Sequence, residues 1–214
     1  MEAILEPIIR SPRMPEYLRL LNELAEDEAR RRREFVESLT PEQKAEFIDG
    51  EVILHSPARR RHLNVTGNIF SLLRQHVGTN RLGEVFVEKC LVSLSRNDYE
   101  PDIVFFRRET AAKFTEDQMR FPAPDLVVEV LSKSTEAFDR GVKFEDYAHH
   151  GVREYWIVDA DAKSVEQYVL PEGERRFTLH ERLAHSTLRS HVVEGFEVPI
   201  ADLFETGDAG EDGG

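Results

Sequence analysis

The 214-residue chain has a single cysteine, Cys90, and a single tryptophan, Trp156. One thiol cannot close an intramolecular disulfide, and no Cys/His spacing resembles a zinc site. No apolar run approaches the ~18 residues of a membrane span. The N-terminal stretch MEAILEPIIRSPRMPEYLRLL lacks a hydrophobic segment followed by a small-residue cleavage site. These absences predict a soluble, cytoplasmic protein with no membrane partner. No internal repeat is visible, and no glycine-rich phosphate loop is present. Positive charge is also scarce. The formal net charge is −13, and Asp208, Glu211 and Asp212 of the tail carry three of those negative charges. This balance argues against strong, indiscriminate binding to polyanions over most of the surface, although a local basic patch could still meet nucleic acid.

What is present fits a globular chain, with 40% hydrophobic and 9% aromatic residues. Residues 15–39 carry Tyr17, Leu18, Leu21 and Leu24 at helical spacing, with Arg30–Arg33 read as a solvated helix surface. Thr40-Pro41-Glu42-Gln43 resembles an N-cap and the first turn of another short helix. Phe47 to Leu54 reads as two strands around an Asp49-Gly50 turn. A helix is expected over 58–77. Strands are expected at 84–94, 102–106, 125–131, 154–158, 164–170 and 176–183. Further helices are expected at 134–149 and, more weakly, near 109–118. Gly151 makes a plausible helix stop. The order predicts an α/β (mixed α+β) fold with a mixed central sheet flanked by helices. The crossover from 125–131 to 154–158 should be parallel. Three parts are expected: an N-terminal helical extension (1–44), a core domain (45–205) and a disordered acidic tail (206–214).

Glu129 stands inside Leu126-Val127-Val128-Glu129-Val130-Leu131, apolar on both faces and so suited to a strand covered on both sides. An unpaired carboxylate there costs several kcal/mol unless it is neutralised or binds a cation. Downstream, Thr135, Asp139, Lys143 and Tyr147 recur every four residues, on one helix face. Asp125, four residues from Glu129 on one strand, lies roughly 13 Å away, whereas Asp102 begins another strand and can approach if the two strands pair. Two carboxylates, with the Val130 backbone carbonyl as a third oxygen, suit Mg²⁺ or Mn²⁺. Lys143 would orient water or neutralise a phosphate, with Asp139 holding its amine and Tyr147 beside it. Plainer readings stand next to these. Asp102 can be a strand-start residue, Glu129 and Lys143 can form a structural ion pair, and Tyr147 can serve packing.

The combination PD…PDLVVEVLS…ST…D…K…Y…GVREYWIVD resembles the Uma2 family (DUF820), within the PD-(D/E)XK nuclease superfamily, over about residues 45–205. The resemblance implies a restriction-endonuclease-like core and a Mg²⁺-dependent endonuclease that hydrolyses DNA phosphodiester bonds with water as nucleophile. It implies Asp102 and Glu129 as metal ligands. The superfamily's lysine two residues after the acid is absent, because that position is Leu131, and Lys143 of the following helix matches the migrated lysine. Arg61 stands where relatives often place an acid before the histidine, here His62. Arg59, Arg60, Arg61 and His62 offer a basic patch for a DNA backbone or, equally, a solvated surface. Analogy with enzymes that cut both strands suggests a homodimer. The rival reading is a catalytically inactive nuclease-fold module for nucleic-acid binding or self-association.

Overall fold

The chain opens with two helices, α1 (Glu2–Ile9) and α2 (Met14–Ser38), in a computed structural model that describes residues 2–205. A hairpin of β1 (Ala45–Ile48) and β2 (Glu51–Leu54) precedes the long helix α3 (Arg60–Asn80). Strands β3 (Gly83–Val87), β4 (Leu91–Ser93), β5 (Asp98–Tyr99) and β6 (Ile103–Arg107) follow. Then come a single helical turn, α4 (Arg108–Ala111), and the short β7 (Arg120–Phe121). Strand β8 (Leu126–Val130) leads through α5 (Glu136–Asp139) and α6 (Val142–His149) to β9 (Glu154–Asp159). The described chain closes with β10 (Ser164–Val169), β11 (Thr178–Leu183), β12 (Thr187–Arg189), β13 (Glu197–Pro199) and α7 (Ile200–Leu203). The acidic tail expected to be disordered lies outside the described residues.

Six strands form the main sheet in the order β11-β10-β9-β8-β6-β3. It is mixed: β8 and β9 run parallel, as the helical crossover between them requires, and the remaining neighbours are antiparallel. Every residue of β8 is buried, because both faces are covered. On one face, α3 lays down Val65, Ile69, Leu73 and Val77, spaced four apart, against Leu126, Val128 and Trp156. On the other, Val127, Tyr155 and Ile157 meet Tyr147 and Ala148 of α6, together with Val92 and Tyr99. The last two belong to a second, five-stranded sheet ordered β2-β1-β5-β4-β7. Glu129 shares the Val127 face, so its carboxylate points into the layer between the main sheet, α6 and the second sheet.

The hairpin turn has both central residues in the left-handed region, Asp49 at φ 50° and Gly50 at φ 83°, which is the type I′ pattern that matches strand twist. Several expectations need correction. The expected strand 84–94 is two strands in different sheets: the chain turns at Glu88, whose φ is 58°, and the Glu88 N–H bonds the Asp102 carbonyl at 2.9 Å. Thr40 to Gln43 forms a turn rather than a helix, since few residues separate α2 from β1 and a helical nucleus is costly. The helix near 109–118 is only α4, because Phe114 is drawn into an aromatic cluster with Phe106 (5.0 Å) and Phe121 (5.2 Å). Of the four arginines Arg32 leaves the solvated surface, gripping Asp98 at 2.5 and 2.8 Å, whereas Arg31 stays exposed while bonding the Gly50 carbonyl. These contacts fasten the end of α2 to both strands and loops of the second sheet.

The helix expected at 134–149 is interrupted between α5 and α6 at Gly141. A Cβ there would stand 2.7 Å from the Ala137 carbonyl oxygen, a backbone atom that cannot yield. Gly141→Ala should therefore destabilise the fold by about 1–3 kcal/mol and shift α6. The check is a denaturant midpoint; an unchanged midpoint would show that the close approach is not limiting.

Candidate active site

The antiparallel register of β6 and β8 sets Ile103 opposite Val128, which brings Asp102 beside Glu129. The two carboxylates are tied reciprocally through the backbone. The Asp102 N–H donates to Glu129 Oε2 at 3.3 Å, and the Val130 N–H donates to Asp102 Oδ2 at 2.9 Å. Asp125, the alternative aspartate, faces elsewhere and accepts from the Arg107 N–H at 2.8 Å.

Lys143 enters from α6 and is 1% exposed. Its Nζ donates to Glu129 Oε1 at 3.0 Å, and lies 3.0 Å from Glu46 Oε1 and 3.1 Å from Asp139 Oδ1. The Asp139 approach is close enough for charge attraction but is not aligned as a hydrogen bond. The Tyr147 hydroxyl donates to Glu129 Oε1 at 3.3 Å. Thus Lys143 and Tyr147 reach Glu129, and Asp139 reaches Lys143, despite the break at Gly141, whereas Thr135 bonds Ser132 Oγ instead.

Three residues of the cluster were not foreseen. Glu46 of β1 accepts from the Glu100 N–H at 2.9 Å and faces His55 Nε2 at 3.0 Å. Lys44 donates from Nζ to Asp102 Oδ1 at 2.8 Å. A signal for Glu46 existed: an acid inside Ala45-Glu46-Phe47-Ile48 poses the same problem as Glu129 in its strand. Lys44 and His55 carry no such local mark.

His62 Nε2 stands 3.4 Å from Asp102 Oδ1, so this residue faces the acids rather than standing apart with the arginines. Its Nδ1 is buried without a partner. A cavity of about 720 Å³ opens over the cluster, lined by Lys44, Arg59, Arg61, His62, Asp102 and Lys143 among others. A neighbouring cleft of about 360 Å³ adds Arg60 and Lys163. Arg61 is held by Asp161 at 2.5 Å.

Electrostatics follow from four buried acids gathered around two ammonium groups. Burial pushes Glu129 up to about 8; Lys143 opposes this, but Asp139, Asp102 and Glu46 add to it. Burial likewise raises Asp139 against the pull of Lys143. Burial would lower Lys143, yet Glu129, Glu46 and Asp139 outweigh it and hold its ammonium well above the usual lysine range. Burial would raise Asp102, but His62 and Lys44 hold it low. The site is therefore short of positive charge. The adjacent carboxylates of Asp102 and Glu129 could offer oxygen ligands to a hard divalent cation. No group of three or more His, Cys, Asp or Glu side chains placed to hold a metal ion is found among the described residues.

Comparison with known proteins gives concordant results. A family model, Uma2, described as "Putative restriction endonuclease", matches residues 32–201. Two uncharacterized proteins of Synechocystis sp. are similar. The protein sll1609 is 33% identical over 148 residues, covering 67% of this chain and 81% of its own length. The protein slr1290 is 30% identical over 129 residues, covering 59% and 66%. A crystal structure from Anabaena variabilis, described as "a putative nuclease belonging to DUF820", superposes with a TM-score of 0.68 at 21% identity. It covers 79% of this chain and 94% of its own. At that identity the match speaks for the fold.

Glu46 supplies a pH test. Burial would raise its carboxyl, but Lys143 and His55 outweigh this and lower it from 4.5 to about 2. A carboxyl held below its unfolded value stabilises the fold above about pH 4.5, and that contribution fades as pH falls toward 2. Glu46→Gln should cost on the order of 2 kcal/mol near pH 7, with the gap to the unsubstituted protein narrowing below pH 4.5. Chemical denaturation across pH measures it. A gap independent of pH would remove the charge interaction as its source.

Proposed function

The chain belongs to the Uma2 family, and from this premise we propose that it is a metal-dependent endonuclease that hydrolyses DNA phosphodiester bonds with water as nucleophile. The observation carrying the reading is the reciprocal tie of Asp102 and Glu129 with a buried lysine bonded to the glutamate. Asp102 and Glu129 would hold Mg²⁺ or Mn²⁺, with the Val130 carbonyl as a further oxygen. Such an ion, when bound, makes water more acidic and offsets charge on the phosphate. Lys143 stabilises the scissile phosphate or orients the attacking water. Asp139 and Glu46 keep its ammonium charged and aimed, and Tyr147 fixes Glu129 Oε1. Arg59, Arg60 and Arg61, which line the adjoining clefts, contact the DNA backbone as positioning groups. Lys44 must leave Asp102 Oδ1 for the cation to be seated. No helix among the described residues is long and apolar enough to cross a membrane.

One observation favours a second reading, a catalytically silent module that keeps the fold. Lys44 already neutralises Asp102. In that case the cluster is a structural network, and the basic cleft serves binding alone.

Metal binding separates the two. For the enzyme, the thermal midpoint rises with Mn²⁺ concentration, by an amount equivalent to about 2.7 kcal/mol at one hundred times Kd, and supercoiled or branched DNA is cut. Glu129→Gln should abolish both responses while leaving the circular dichroism spectrum intact. A midpoint unmoved by Mn²⁺ together with uncut DNA of every form overturns the enzyme reading in favour of the module.

A further inference from the structure

A group of cations lies beside Glu205, the last described residue. Arg60, Asn64 and Asn68 recur every four residues of α3 and so share one face of that helix. Asn68 Nδ2 donates to the Leu203 carbonyl at 3.2 Å and to the Glu205 carbonyl at 2.8 Å, which fastens the end of α7 to this face. Phe204, between those two residues, forms one wall of the cleft of about 360 Å³, and Arg60, Arg61, Asn64 and Lys163 line the others. Arg61 is engaged by Asp161. Arg60 and Lys163 are exposed and enter no ion pair among the described residues. Helix α3 also starts here with no acid in its first turn and no side-chain cap, so its N-terminal amide dipoles add to the positive field.

The next acids in the chain follow at short range. Asp208 and Glu211 stand three and six residues beyond Glu205, and an extended chain covers ~10 Å in three residues and ~20 Å in six. Arg60 precedes Asn68 by eight residues, a separation of about 12 Å along the helix axis. The acidic run therefore reaches from the Asn68 anchor to the cations with chain to spare.

We infer that the acidic segment 206–214 docks in cis on this cleft, setting Asp208, Glu211 and Asp212 against Arg60 and Lys163. Charge complementarity and reach select this occupant. In a chain of net charge −13, most of the surface repels an acidic segment, and the basic cleft beside its point of attachment does not. The short tether gives the acids an effective concentration on the order of millimolar at the cleft. The docked segment uses the cations that a DNA backbone would use, so it competes with a polyanion for them. The docking is independent of the nuclease reading. The competition rests on the part of that reading that gives DNA to these arginines.

Zero-length carbodiimide coupling of the full chain tests the docking. Amide links from Asp208, Glu211 or Asp212 should form with Lys163 in clear preference to Lys113 and Lys133, which are exposed too. In a mixture of isotopically light and heavy protein, each linked pair should come from one chain. Arg60→Glu, at an exposed position, should reduce the Lys163 links several-fold by setting like charges together. Links spread evenly over the exposed lysines, links between chains, or Lys163 links indifferent to Arg60→Glu each overturn the docking. Titration of a fluorescent duplex DNA in the absence of metal then reads the competition. Removing 206–214 should tighten binding several-fold at low salt, and the gain should vanish in Arg60→Glu. Equal DNA affinity with and without the segment overturns the competition. No DNA binding by either chain overturns the DNA reading itself, while the coupling still decides the docking.

Discussion

An ammonium group with almost no exposure holds this molecule together at its centre. Lys143 can keep its charge only because Glu46, Glu129 and Asp139 surround it; removing one partner of such a buried set leaves charge uncompensated. The three acids come from different layers. Glu46 belongs to the second sheet, Glu129 to the main sheet and Asp139 to the helical crossover. Their meeting point is therefore also the joint between the sheets, and the packing of Tyr99, Tyr147 and Tyr155 around it excludes water from the joint.

The same crowding sets the electrostatics. Three carboxylates on one ammonium exceed what that charge can balance, and Glu129 bears the deficit. Asp102 lies next to it but is balanced differently, by Lys44 and His62 at the cavity mouth. One acid of the pair is thus starved of positive charge while the other is supplied by a lysine whose side chain is partly accessible. A cation entering from the cavity would meet both at once. Leu131 illustrates the alternative that this fold does not use: it shares a face with Glu129 but packs into the apolar layer beside it, and the charge is delivered from α6 instead.

Much of this was legible in local pattern. The hairpin at Asp49-Gly50, the buried strand around Glu129 and the parallel crossover all follow from short-range rules of turn chemistry and alternation. Of the four-residue series, Asp139, Lys143 and Tyr147 meet in one cluster although Gly141 divides the helix, whereas Thr135 turns to Ser132. The strand expected through 84–94 misled, since alternation alone does not reveal that the chain leaves one sheet for another at Glu88. Arg32 of α2 misled for a related reason: an isolated helix gives no hint that it finds Asp98 some sixty residues away in sequence.

By itself the sequence determined that Glu129 is out of place in an apolar strand, that Lys143 follows at helical range, and that Asp125 lies too far along the strand to share an ion with Glu129, leaving Asp102 as the partner if the two strands pair. Those conclusions need only strand rise, side-chain alternation and the cost of burying charge. Only the tertiary structure decided the register that ties Asp102 to Glu129, the arrival of Glu46 from a second sheet, and the placement of Lys44 and His62 over the aspartate. The physical reason is that pairing between distant strands is set by the packing of both faces and by the joint between sheets, and neither leaves a period in the sequence of the strands themselves.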